Sequence, residues 1–266
     1  MQANVSLKYG SARLLCRRSF VYSHQNVYQR DDGTLGLRDR AKRFVARHTP
    51  GIANSRYTAG KLGCTHVVFN AYDNATFRDV MPWEARDRDL VFLGRLVSQK
   101  GCPTLLRALG RLRRQGLTPR LTVIGDGPDR QMLAALAARE GIGEQVRFEG
   151  TLQGPALAAA LNRHRVLVVP SICEETFGIV ALEGLACGCL PVVSARGGIV
   201  DAIGRHGFTF PNGDEGALAD TLAAILADPD TARARLAGKD AHLAAFTARA
   251  VATRYIGVFE ELLARR

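Results

Sequence analysis

An α/β fold built on a parallel sheet is what this chain predicts, and three observations predict it. From residue 89 onward short β-rich runs alternate with helical stretches. Each run ends at Gly, Pro or another small residue. The apolar share of the 266 residues, 47%, is ordinary for a packed core.

The elements follow in chain order. Residues 19–24 (SFVYSH) read as a strand, 37–48 (LRDRAKRFVARH) as a basic helix, and 51–55 and 66–73 (GIANS, HVVFNAYD) as two short strands around a small helix at 56–63. Three short strands bury too little to stand alone, so residues 1–85 are expected to be part of a domain, with the first strand left as an unpaired edge. Strands are then predicted at 89–94, 120–125, 145–150, 165–170 and 190–195, with a fainter one at 207–210. Helical patterns lie between them, including one with Leu105, Leu106, Leu109 and Leu112 on a single face. Residues 86–245 form this second domain, and a helix over 246–266 closes the chain.

Lys and Arg number 36 against 25 Asp and Glu, a net charge of +11 that favours anionic partners. The first fifty residues hold ten Lys/Arg, among them Lys8, Arg17, Arg18, Lys42 and Arg43, against Asp31, Asp32 and Asp39, which marks a contact surface. Aromatics are not interleaved with these cations, which argues against nucleic acid. No apolar run is long enough to span a membrane, and the arginines in 13–22 (RLLCRRSFVY) argue against a signal peptide, so a cytoplasmic chain is expected. Cysteines stand at 16, 64, 102, 173, 187 and 189; Cys187 and Cys189 lie in an apolar passage without a second ligand pair and read as buried thiols, not a metal site.

The chemistry concentrates in residues 170–193, PSICEETFGIVALEGLACGCLPVV. If a strand ends at Pro170 and a helix begins near Gly178, the N–H groups of Phe177, Gly178 and Ile179 face the carboxyl edge of a parallel sheet, where anions bind. Gly178 is expected to let a phosphate or sugar approach the backbone. Glu175 then lies ahead of the helix, and Glu183 about 7.5 Å along its axis from the start. A carboxylate accepting from two vicinal hydroxyls holds a ribose, so the pair brackets a diphosphate-linked ligand. Arg95 follows one strand end and Lys100 opens the next helix, a guanidinium and an ammonium suited to a diphosphate. The spacing there does not match an ATP-binding phosphate loop, and VIGDGPDR (123–130) lacks the third glycine of a dinucleotide fingerprint.

In order and spacing, GRLVSQKG, VIGDGP, VRFEG, the stretch quoted above and ARGGIVDAI resemble the nucleotide-sugar-binding domain of the GT-B retaining glycosyltransferases, often called family 4. The most specific element is E-x7-E, met by Glu175 and Glu183. The resemblance implies a GT-B fold: a complete Rossmann-like second domain and a partial acceptor-side domain lacking its first strands, as in a fragment, a reduced enzyme or one half of a two-chain complex. It implies that Arg95 and Lys100 neutralise the donor diphosphate without a metal or other cofactor, that Glu183 holds the ribose, and that Glu175 and the backbone of 177–179 meet the donor sugar. SFVYSHQN is similar to a strand ending in a cleft histidine, which places His24 at that sugar. Asp201 stands where the family often has Glu.

The expected activity is transfer of a hexose from a nucleoside diphosphate sugar to a hydroxyl acceptor with retention, in surface polysaccharide or lipopolysaccharide assembly. A glycan or lipid-linked acceptor at an anionic membrane surface suits the basic N-terminus. Two other readings stay open: a non-catalytic nucleotide-sugar-binding subunit whose partner chain supplies the missing acceptor half, and a nucleotide-sugar epimerase.

Overall fold

The computed structural model describes residues 2–3, 21–29 and 34–264 and holds two parallel sheets. The N-terminal one is built from β1 (Gln2–Ala3), β2 (Val21–His24), β3 (Gly51–Ala53) and β4 (His66–Val67), adjacent in that order. Helices α1 (Leu37–Arg47) and α2 (Arg56–Leu62) connect its strands. Lys8, Arg17, Arg18 and Cys16 lie outside the described residues, as do Ser19 and Phe20 of the predicted first strand.

Two expectations are corrected here. The β2 edge is not left bare: Gln2 and Ala3 pair with Val21 and Tyr22. The strand expected over 66–73 stops at Val67, because the chain must leave the sheet to reach the second one. Val68 still donates its N–H to Ala53, and Tyr72 already donates to Phe246 beside the other sheet.

The second sheet contains β5 (Arg88–Leu93), β6 (Leu121–Ile124), β7 (Val146–Gly150), β8 (His164–Val169), β9 (Leu190–Ser194) and β10 (Phe208–Phe210), in spatial order β10-β9-β8-β5-β6-β7. Numbered within this domain, that is the doubly wound order 3-2-1-4-5-6. Successive side chains along each strand point to opposite faces, so each apolar strand feeds two cores. Leu90, Phe92, Val166 and Val168 pack under α3 (Cys102–Arg114), α4 (Arg130–Arg139) and α8 (Glu215–Ala227). Val91, Leu93, Leu167 and Val169 pack under α5 (Gly154–Asn162), α6 (Ile179–Ala186) and α7 (Ile199–Ile203). The four leucines predicted to share a face of α3 are all fully buried. At the sheet edge, β7 alternates half-buried Val146 and Phe148 with exposed Arg147 and Glu149, as a one-sided strand should.

Short helices α9 (Pro229–Ala234) and α10 (Lys239–Leu243) lead to the last helix, α11 (Ala248–Ala264). What α11 closes is the N-terminal sheet. Val251, Tyr255, Val258, Phe259 and Leu262, one stripe at helical spacing, pack on Val21, Ile52 and Val68. Buried Arg86 ties the incoming connection to the second domain, donating to the carbonyls of Met81, His164 and Cys187 and to Asp79. Cys187 and Cys189 are fully buried thiols, the latter donating to the Leu161 carbonyl.

Candidate active site

β5 and β8 are neighbours, yet the helices that follow them go to opposite faces, α3 to one and α6 to the other. Their exit loops therefore diverge and leave a crevice at the carboxyl edge, the place where open α/β sheets bind ligands. The two loops are stitched at the base: Ile172 and Cys173 both donate N–H to the Gln99 carbonyl. Gly101 makes this approach feasible. It adopts φ +68°, and a Cβ there would lie 1.8 Å from the Pro170 oxygen.

The structure brings Lys100 and Glu175 together at this point. Lys100 Nζ lies 2.6 Å from Glu175 Oε1, and the Ser171 hydroxyl donates to the same oxygen at 2.7 Å. The cation expected to face a diphosphate thus already holds an internal anion. Arg95, on the same loop, is exposed and makes no ion pair among the described residues. A planar guanidinium in that state is ready for an external oxyanion.

Glu183 is the fifth residue of α6, with Ala181, Leu182, Leu185 and Ala186 buried around it. No hydrogen bond or ion pair to its carboxylate is found among the described residues. Burial pushes its pKa up to about 7, and the nearby Asp73 carboxylate adds to the effect. A half-buried carboxylate without a partner is a costly feature for a fold and a useful one for a ligand carrying hydroxyls.

The α6 N-terminus differs from expectation in detail. Gly178 takes φ +87°, but the space a Cβ would use is filled by Ile199, 2.6 Å away. Its glycine serves the turn and the α6–α7 contact, not an open approach for a ligand. The Phe177 ring is buried between Phe69 and Phe246, with centroids 5.8 and 5.9 Å away, so only its backbone can meet a ligand. Ile179 is partly exposed at the helix start.

His24, expected at the donor sugar, is enclosed. The ring is wholly buried, Nδ1 lies 3.1 Å from the Tyr28 hydroxyl, and Nε2 abuts Gly51 without a hydrogen-bond partner among the described residues. Burial lowers its pKa to about 4, which keeps it neutral.

The N-terminal domain meets the crevice through residues that sequence reasoning missed. Glu174 Oε2 accepts from the Tyr57 hydroxyl and from Gln29 Nε2 at 3.0 Å, and lies 3.5 Å from Lys61 Nζ. Asp201 accepts the Arg56 N–H at 2.7 Å and pairs with its guanidinium at 3.1 Å. The one available signal was Tyr57 and Lys61 at helical i, i+4 spacing on a short helix. Among the described residues no group of three His, Cys, Asp or Glu is placed to hold a metal ion, and no helix is long and apolar enough to cross a membrane.

Two parallel α/β domains, the second with a crevice at its topological switch point, define the GT-B architecture. Residues 73–240, more than half of the chain, match the model of the glycosyl transferases group 1, and the chain belongs to that family. It is 35% identical over 222 residues to the D-inositol 3-phosphate glycosyltransferase of Thermobispora bispora, a match covering 79% of this chain and 51% of that one. It is 36% identical over 149 residues to the glycogen synthase of Mycobacterium tuberculosis, covering 55% and 36%. The chain spans about half the length of the curated relatives it matches. Anabaena Alr3699/HepE, solved in complex with UDP, shares the fold at a TM-score of 0.80 and 20% identity, over 96% of this chain and 74% of the other.

Proposed function

We propose that this chain carries the donor site of a retaining glycosyltransferase that moves a hexose from a nucleoside diphosphate sugar to a hydroxyl acceptor. The observation that carries the reading is the crevice between the β5 and β8 exit loops, which bear Arg95 and Lys100 on one side and lead into α6 with Glu183 on the other. Arg95 and Lys100 take the diphosphate, and Lys100 exchanges Glu175 for phosphate oxygens when it does. Glu183 accepts from the two ribose hydroxyls, which displace the remaining solvent and give the carboxylate hydrogen-bond donors in its place. Glu175, released, faces the donor sugar.

In the transfer step the acceptor oxygen bonds to the anomeric carbon as the carbon–phosphate-oxygen bond breaks, and the acceptor proton passes to the leaving diphosphate. Attack from the leaving-group side retains configuration. The charge that grows on the diphosphate is stabilised by Arg95, Lys100 and the helix N-terminus, so no step requires a metal. UDP in the similarly folded Anabaena protein favours a uridine donor. His24 is given no role, because it is enclosed.

The acceptor we propose is anionic, a glycan or lipid-linked phosphate reached at a membrane surface and used in surface polysaccharide or lipopolysaccharide assembly. The support is α1, with Arg38, Arg40, Lys42, Arg43 and Arg47 against Asp39, and Leu37 and Phe44 exposed. Retention of the chain on anionic vesicles at low salt checks this; free passage overturns it. A second reading, a donor-binding piece that needs a further acceptor-side chain, is favoured by the half-length match to the relatives.

Calorimetric titration with UDP, GDP, UDP-glucose, UDP-GlcNAc and GDP-mannose tests the donor site. Binding of one nucleotide, weakened at least tenfold (about 1.4 kcal/mol) in Glu183→Ala, is expected. Absence of binding by a folded sample removes the reading.

A further inference from the structure

Two consecutive carboxylates in the loop between β8 and α6 serve opposite domains. Glu175 is turned inward to Lys100 and Ser171 of its own domain. Glu174 is turned outward, and among the described residues every side chain bound to it belongs to the N-terminal domain: Tyr57 and Lys61 on α2, and Gln29 beyond β2. Gln29 is itself held by Arg43 of α1 at 3.0 Å, so one carboxylate oxygen gathers two helices and a strand end. Lys61 also lies over the Tyr57 ring, 5.3 Å from its centroid, which fixes both donors on one face of α2.

A second contact sets the angle of α2. Ser55 caps it by accepting the Thr58 N–H, and packs so closely on Gly198 that a Cβ there would lie 2.6 Å from its oxygen. Asp201 binds the Arg56 N–H from across the crevice. The loop around Gly198 is in turn bonded to the Glu175 backbone, whose carbonyl accepts the Gly198 N–H at 2.6 Å. α2 therefore grips the Glu175 segment from both sides, through Glu174 on one and through residues 198–201 on the other.

We propose that Glu174 is a positioning residue: its bonds to Tyr57 and Lys61 latch α2 across the crevice and fix the backbone that carries Glu175. Domain closure and placement of Glu175 are then one event, read by adjacent residues. This rests on the reading of the crevice as a donor site. Nucleotide affinity resides in Arg95, Lys100 and Glu183, none of which touches the latch, so the latch governs turnover and not nucleotide binding.

The test compares wild type with Glu174→Ala, Glu174→Gln and Tyr57→Phe in three measurements: UDP or GDP affinity by calorimetry, hydrolysis of the corresponding sugar donor by water, which needs no acceptor, and amide exchange over residues 54–62 and 171–178. The expected result is nucleotide affinity within twofold of wild type and faster exchange in both segments for Glu174→Ala. Its kcat should fall by about ten- to a hundredfold, the range a small misplacement of a reacting group produces. Glu174→Gln, which still accepts from Tyr57, should recover part of kcat. Unchanged kcat, unchanged exchange, or nucleotide affinity falling in step with kcat would each overturn the proposal. If wild type binds no nucleotide, the donor-site reading fails, and the exchange measurement alone decides the latch.

Discussion

Each sheet of this molecule buries a histidine, and the two are treated differently. His164, at the start of β8, has both ring nitrogens engaged, Nδ1 donating to the Ala160 carbonyl at 2.7 Å and Nε2 accepting from Thr122 at 2.8 Å. His24, at the end of β2, has one side-chain hydrogen bond among the described residues, to Tyr28, and its Nε2 is left against Gly51. The contrast extends to the cores. The six-stranded sheet is covered on both faces by helices of its own domain, whereas the four-stranded sheet takes part of its cover from α11, at the far end of the chain, which packs on Val21, Ile52 and Val68. Among the described residues, one region packs within itself and the other leans on a helix from the far end of the chain.

The sharpest way to break this contrast is to remove α11. A chain ending at residue 247 exposes Val21, Ile52 and Val68 to water and loses the Ser23–Tyr255 hydroxyl contact of 3.2 Å. Amides of β2 and β3 should lose their exchange protection altogether, while those of β5, β6 and β8 keep theirs. Equal loss in both sheets would show that the second domain depends on α11 as well.

Next in size is Gly101→Ala. The new Cβ collides with the Pro170 carbonyl and demands a left-handed backbone of a residue that avoids it. The neighbour is backbone and cannot swing aside. A loss of at least about 3 kcal/mol is expected, seen as a fall in Tm of roughly 6–12 °C. Because the clash sits where the β5 and β8 loops meet, faster exchange should centre on residues 99–101 and 171–173 and leave the N-terminal sheet near wild type.

Legibility in the sequence follows the same division. β5 and β8 each end in a four-residue apolar run closed by Gly94 or Pro170, so their positions, and hence those of Arg95, Lys100 and Glu175, could be read from pattern and strand-end logic. Glu183 stood out as a carboxylate on an apolar helix. β1 is two residues, too short for alternation to register, β4 keeps only the first two of the eight residues expected, and the cover supplied by α11 joins positions some two hundred residues apart. The Glu174–Tyr57 and Asp201–Arg56 contacts were invisible for a related reason: they are formed only when two domains meet, and local periodicity carries no information about that. His24 looked like a cleft residue because a strand end says where the backbone goes, not what packs over the ring.

The smallest effect separates function from stability within the better-built region. Glu183 has a folded pKa near 7 against an ordinary value of 4.5, so the folded chain holds a proton between those values that the unfolded chain has released. Stability therefore declines as pH rises through that window and stays lower above it. His24 and His164 act in the opposite direction. Their pKa values, lowered to about 4, mean that stability is lost as pH falls from 6.5 toward 4, because only the unfolded chain takes up the proton. Glu183→Gln removes the first contribution alone. Discounted for the solvent that still reaches the group, the variant should exceed wild type by about 1 kcal/mol at pH 8, or roughly 2–4 °C in Tm, and match it at pH 4.5. A variant less stable than wild type at pH 8 would mean that the carboxylate has a partner in the folded protein. It would then be a structural group, and the case for a ribose in its place would weaken with it.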